Sequence, residues 1–131
     1  LGDLSYGLTA IPMTYDPPVA SPTELRRETR KAPRPGLTDC FAQKEPARRL
    51  PNLASIPVAV VSAEASAWGM HDHGTVEFLV QAGVPAVHLR LEEHGLQGNG
   101  HMMMQEKNSD DIAAFIAGWL AANVSASSEK R

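Results

Sequence analysis

Two short apolar runs do most to limit what this chain can fold into. They are Ile56-Pro57-Val58-Ala59-Val60-Val61, rich in β-branched residues, and Pro85-Ala86-Val87-His88-Leu89-Arg90-Leu91. The first is nearly continuous in apolar character, the pattern of a strand buried on both faces, as in a parallel sheet. Between them, Asp72 to Ala82 carries Val76, Leu79 and Val80 at helical spacing, and Gly83 stands at the usual position just past a helix end. Strand, helix and strand within about 35 residues make a βαβ unit with a right-handed crossover.

A second helix follows. Ser109 is placed to cap it, and Asp110 and Asp111 fall in its first turn, where the helix dipole favours carboxylates. Ile112, Phe115, Ile116, Trp119 and Leu120 recur at the spacing of a broad apolar stripe that faces a core.

The first half is less regular. Gly2, Gly7, Pro12, Pro17 and Pro18 punctuate residues 1–20, which read as an irregular segment laid across a surface. Ser21-Pro22-Thr23-Glu24 has the form of a capping box and predicts a short solvated helix over Leu25 to Lys31. Pro33-Arg34-Pro35-Gly36 breaks the chain, and Phe41 to Leu50 is expected to hold another short helix, with Pro46 near a turn. Residues 125–131 form a polar tail, expected to be disordered.

Bulk properties exclude several classes. The length of 131 residues allows one domain, and a net charge of -3 gives no reason to expect nucleic acid or an anionic membrane as partner. No apolar run approaches the roughly 18 residues of a spanning helix, and Leu1-Gly2-Asp3 lacks the basic-then-apolar start of a signal peptide. The single Cys40 excludes an intrachain disulfide and a multi-cysteine zinc site, and reads as a small buried or half-buried hydrophobe.

Two strands that are each apolar on both faces cannot complete a sheet, because both outer edges keep unpaired backbone groups. The expected architecture is therefore α/β: the C-terminal part of a doubly wound, mostly parallel sheet, incomplete and unstable on its own. Residues 1–55 would be an irregular cap or loop region with short helices. Residues 56–124 would be the core, and 125–131 the tail.

The chemistry centres on Gly98-Asn99-Gly100-His101-Met102-Met103-Met104, between the second strand and the last helix. An imidazole titrates near pH ~6.5 and can take a proton from a hydroxyl nucleophile. Glycines on both sides of Asn99 let the loop bring the ring over the strand ends, and that carboxyl edge is where open α/β sheets bind ligands.

The order of elements resembles the C-terminal half of an α/β-hydrolase serine esterase. Pro57 to Val61 resembles strand seven of that superfamily, Pro85 to Leu91 strand eight, and Ser109 to Ala122 the closing helix. The Gly-Asn-Gly-His-Met string and Tyr15-Asp16-Pro17-Pro18 are similar to an esterase subgroup of bacteria and fungi. The resemblance implies that His101 is the triad base in cleavage of a small-molecule carboxylic ester through an acyl-enzyme. It implies no cofactor, no metal, no nucleic acid and no membrane partner. It favours a secreted or periplasmic location and leaves room for a homodimer.

Two departures qualify it. The Gly-x-Ser-x-Gly elbow of the nucleophile is missing, and Ser62, Ser66 and Ser109 lie in the wrong contexts. The serine is then expected from an N-terminal part of the same enzyme, possibly a separate chain. The acid position after strand seven reads Ser62-Ala63-Glu64-Ala65-Ser66, with Ser66 where an aspartate is expected, and a serine cannot hold a histidine tautomer by charge. The resembled subgroup draws its acid from the end of strand six instead. Within this chain the fallback acids are Glu64, otherwise a solvated or capping carboxylate, and Asp72, otherwise a cap of the crossover helix. Trp68 and Met70 are placed to border the site entrance, and Met102 to line an acyl pocket, although methionines are more often core filler. His71-Asp72-His73 suggests a metal only if extended and still needs a third ligand, for which His88 and His94 are unplaced candidates. The competing reading is a catalytically incompetent fragment or pseudo-enzyme whose βαβ unit serves assembly or binding.

Overall fold

A computed structural model describes residues 4–124. Its helices and strands are, in order, β1 (Arg27–Arg30), β2 (Cys40–Gln43), β3 (Val58–Ser62), α1 (Gly69–Gln81), β4 (Ala86–Arg90) and α2 (Ser109–Asn123). The class is α/β, as the two apolar runs require. β3 and β4 pair in parallel, Val58 opposite Ala86, Val60 opposite His88 and Ser62 opposite Arg90, with α1 as the crossover.

Alternation along the strands divides the core in two. Val58, Val60 and Ala86 pack against a cluster that includes Phe78 and Leu79 of α1, with Tyr15, Leu25 and Leu50 from the first half of the chain. Val61 belongs to a second cluster, in which Ala63 and Leu91 meet Ile112, Phe115 and Ile116 of α2. The apolar stripe of α2 therefore does what its period predicts, and Ile112 is buried. Leu120, at the far end of the stripe, stays half exposed. His94 lies over Phe115, ring centroids 4.5 Å apart, and ties the turn after β4 to α2.

α1 ends as expected: Gly83 has φ +79°, and the amide of Val84 returns to the carbonyl of Leu79 at 3.0 Å. It begins earlier than expected, at Gly69. His71, Asp72 and His73 therefore lie within a helix, where residues two apart do not share a face.

The first half corrects two expectations. Leu25 to Lys31 is no helix. One 3-10 turn, Pro22–Glu24, leads into β1, which pairs antiparallel with β2, Arg27 opposite Gln43 and Arg30 opposite Cys40. The capping box does not close either: Ser21 makes no cap bond, and the Glu24 carboxylate accepts from the amide of Ala20. A seven-residue helix without an apolar stripe has nothing to offset its nucleation cost, whereas the hairpin supplies backbone partners. Phe41 to Leu50 is likewise a strand and a turn. The buried Gln43 amide accepts from the N–H of Arg48 and donates to its carbonyl, both at 2.9 Å, closing the turn around Pro46. Gln81 of α1 brackets the backbone of Gln43 in the same way, at 2.9 and 2.8 Å, and so docks the hairpin on the crossover helix.

Residues 4–20 are irregular, as expected, and are held by Tyr15, which is buried and donates to the carbonyl of Tyr6 at 2.7 Å. Burial pushes its hydroxyl pKa up to about 12. The tail expected to be disordered, 125–131, lies outside the described residues. Among the described residues no helix is long and apolar enough to cross a membrane.

Candidate active site

β4 ends at Arg90, and one 3-10 turn, Leu91–His94, closes on Gly95 in the left-handed conformation. Leu91 is fully buried and anchors the turn. The chain then reaches Gly98, whose φ of +77° suits glycine and whose Cβ position is open space, so the backbone rather than crowding selects glycine there.

The next residue organises the loop. Asn99 is buried, and its amide pairs reciprocally with that of Asn108: Nδ2 donates to Asn108 Oδ1 at 2.7 Å, and Oδ1 accepts from Asn108 Nδ2 at 3.0 Å. The same Nδ2 donates to Glu106 Oε2 at 2.5 Å, while Glu106 Oε1 accepts from the amide of Gly100 at 2.7 Å. Asn108 is the residue just before α2. The loop is thus fastened to the start of the last helix by side chains that satisfy one another, which makes a buried polar group rigid rather than costly. A Cβ on Gly100 would lie 3.2 Å from Glu106 Oε1, so this glycine gives the carboxylate its close approach.

The other side of the loop is tied to the segment after β3. The carbonyl of Asn99 accepts from the amide of Ala65 at 2.9 Å, and the amide of Gly98 donates to Glu64 Oε2 at 2.8 Å. His101 emerges from this frame exposed to solvent. Its Nδ1 lies 3.4 Å from Ser66 Oγ, and the Trp68 indole meets the ring in an edge-on arrangement with centroids 6.1 Å apart. Ser66 Oγ also accepts from the amide of Trp68 at 3.2 Å.

The structure brings together His101, Trp68 and Ser66, and separates the other candidates. Glu64 holds the loop backbone and not the imidazole. Asp72 does not cap α1; its Oδ2 accepts from Ser62 Oγ at 2.5 Å. Met70 is partly exposed, and its carbonyl receives the amide and hydroxyl of Thr38, both at 3.1 Å. Met102 and Met104 are exposed beside the loop, while Met103 packs into the second core cluster. Sequence reasoning missed Asn99, Glu106 and Asn108. The available signal is an asparagine between two glycines just before the histidine, followed by a carboxylate and a second asparagine.

It also missed a second polar cluster. Ser62 Oγ lies 2.7 Å from His88 Nε2 as well as 2.5 Å from Asp72, linking β3, β4 and α1. The serine has one hydroxyl proton and gives it to the carboxylate, so His88 Nε2 carries a proton and donates to the serine. Burial, with the charge of Arg90 behind it, holds the His88 pKa below the usual histidine value.

The histidines flanking Asp72 go separate ways. His71 Nδ1 pairs with Thr38 Oγ1 at 2.7 Å, and His73 is buried with neither ring nitrogen bonded among the described residues. Among those residues no group of three or more His, Cys, Asp or Glu side chains is set to hold a metal ion. Cys40 is partly buried beside Glu77, and burial followed by that carboxylate raises its thiol pKa.

A parallel βαβ unit with a fastened histidine loop beyond its second strand defines an α/β chain with a candidate site at the strand ends. Over 116 residues, 88% of its length, the chain is 39% identical to a protein named "Probable secreted lipase phiG" from Fungal sp. (strain ATCC 74256). The matched stretch is 32% of that protein, so the chain spans about a third of this curated relative. No family model matches the chain, and no solved structure matches it.

Proposed function

We propose that this chain is the C-terminal part of a lipase- or esterase-type serine hydrolase of the α/β-hydrolase kind, and that His101 is its general base. The observation that carries the reading is the Asn99–Asn108–Glu106 frame, which presents an exposed imidazole beyond the last strand. Among the described residues the ring's Nε2 has no protein partner. Identity over most of the chain to part of a protein named a secreted lipase supports the same reaction class.

In this reading a serine from the remainder of the enzyme attacks the ester carbonyl, and its proton passes to His101 Nε2. The tetrahedral intermediate collapses, His101 returns the proton to the leaving alcohol, and a serine ester remains. Water then attacks that ester through the same base. Residues 56–124 supply the end of the sheet and the histidine, and residues 4–55 cover one side of it. The partner of Nδ1 is a carboxylate from the part that carries the serine, at the end of the strand next to β3. Glu64 and Asp72 are occupied elsewhere, and Ser66 lies beside Nδ1 without charge. No step requires a metal or an organic cofactor.

The test uses the full-length protein. A fluorophosphonate should label one serine outside residues 1–131, and His101→Ala should abolish p-nitrophenyl butyrate turnover while leaving the protein folded. Turnover near the wild-type rate in that variant overturns the assignment. A second reading, an assembly or binding module without catalysis, is favoured by one observation: no serine elbow occurs in the chain. It predicts a folded full-length protein that fluorophosphonate leaves unlabelled.

A further inference from the structure

The net charge conceals a segregation. Residues 26–49 hold eight of the twelve Lys and Arg residues but three of the fifteen Asp and Glu. The hairpin region is therefore basic, while the rest of the chain is acidic. At the open end of the hairpin, beyond the Arg27–Gln43 pair, the amide of Lys44 donates to the carbonyl of Arg26 at 2.9 Å and sets the two residues side by side. Together with Arg48 they line a pocket of about 290 Å³, whose wall also includes Pro17, Leu25 and Ala47.

Arg48 is held in place. Its Nη1 donates to the carbonyls of Pro17 and Pro18, and its Nη2 to that of Glu24 at 3.5 Å. These acceptors are uncharged, so the guanidinium is not neutralised by them. Two of its five N–H groups have no partner among the described residues. Arg26 and Lys44 are exposed. The ion pairs among the described residues lie elsewhere: Glu28 with Arg30, Asp39 with Lys31, and Glu93 with Arg90. Two carboxylates also line the pocket, and amide donors engage both. Glu24 accepts from the amide of Ala20 at 3.1 Å, and Glu45 from the amide of Ala47 at 2.9 Å and from Gln81 Nε2 at 3.0 Å. Three cations thus border one space without a carboxylate partner.

We propose that this pocket binds a phosphate group, a role separate from the chemistry of His101. A carboxylate offers two oxygens and one charge, which one guanidinium satisfies. Three cations around one space match a dianion with more acceptor oxygens, and Arg48 supplies the fork that such a group prefers. The bound dianion relieves the mutual repulsion of Arg26, Lys44 and Arg48. The volume is close to the ~300 Å³ at which small-molecule pockets begin. It holds the phosphate together with the first atoms of an esterified group, which meet Pro17, Leu25 and Ala47. Free phosphate and a phospholipid headgroup present the same chemistry.

The experiment uses the full-length protein at low ionic strength. Inorganic phosphate is titrated calorimetrically, and vesicles of phosphatidylcholine with phosphatidic acid are used in sedimentation. Two double variants remove equal charge. Arg26→Gln with Lys44→Gln acts inside the pocket, and Lys31→Gln with Arg34→Gln acts at the closed end of the hairpin, where neither residue lines it. The expected result is one phosphate bound per chain, with Kd raised about tenfold or more by the first variant and unmoved by the second. Retention on vesicles alone, lost in the first variant only, supports the same site with a lipid headgroup as the source. Equal weakening in both variants assigns the effect to diffuse charge and overturns the pocket, as does absence of binding to either probe. A measurement on the unaltered protein covers a folding failure of the variants. The probe that binds should protect Lys44, and not Lys31, from acetic anhydride, read by peptide mass spectrometry. Equal modification of Lys44 with and without that probe overturns the site.

Discussion

Two histidine clusters stand near the ends of β3 and β4. Ser62, Asp72 and His88 are the three residue types of a serine-hydrolase triad, and the serine lies within hydrogen-bond distance of both others. His101 has around it glycines, amides, a carboxylate turned to the backbone, the Ser66 hydroxyl and a tryptophan. The difference between them is one of order and access. A triad needs the histidine between the serine and the acid, with Nε2 free to accept. In the first cluster the serine is central, its proton is directed at Asp72, and His88 Nε2 must donate to it. Ser62 is also only 5% exposed, so no ester carbonyl can approach its oxygen. The second cluster has the opposite character: a buried frame whose single exposed product is an imidazole. Composition proposes a site, and hydrogen-bond direction decides whether it can react.

Substitutions can break this comparison in graded steps. The largest effect is expected for His101→Ala in the full-length protein, a loss in kcat on the order of 10⁴-fold or more, read by p-nitrophenyl ester kinetics. Asn99→Ala comes next. It leaves Glu106 and Asn108 without their partner, so stability should fall by about 2–3 kcal/mol in urea unfolding. A loosened imidazole should lower kcat by about 100-fold. A frame that only stabilises would lower the melting temperature without moving kcat. Ser62→Ala should do the reverse of His101→Ala: a loss of about 1–2 kcal/mol of stability, with turnover and fluorophosphonate labelling unchanged.

The smallest effect is a pH dependence. The folded-state pKa of His88 is depressed, first by burial and then by Arg90. The unfolded chain therefore binds the proton more readily. The stabilising contribution of neutral His88 is fully present above the unfolded value of ~6.5 and is lost as the pH falls from there through the folded pKa. His88→Asn should flatten that acid-side slope in pH-dependent thermal unfolding. An unchanged slope would show that His88 does not titrate differently on folding.

The parts of the molecule legible in the sequence were those where one physical requirement dominates. β3, β4 and α2 are marked by their apolar residues, in two short runs and one helical stripe. Gly83 and Gly98 mark left-handed positions that few other residues accept. The hairpin was illegible for the converse reason. Arg27–Arg30 has no buried residue and no period, and its strand conformation comes from pairing with a distant segment. The turn after β2 is written in a glutamine that replaces backbone partners, which no propensity scale records. His101 is singled out in the sequence by its glycines and the family resemblance, while the frame around it depends on side chains seven and nine residues away from Asn99 that only the folded loop brings together.

The most direct test of the central claim pairs two variants of the full-length protein, His101→Ala and Ser62→Ala, in one steady-state assay with p-nitrophenyl butyrate, with folding verified for both. The account predicts that His101→Ala is inactive while Ser62→Ala turns over at the wild-type rate. Loss of activity in Ser62→Ala with retention in His101→Ala would contradict it and assign the chemistry to the other cluster.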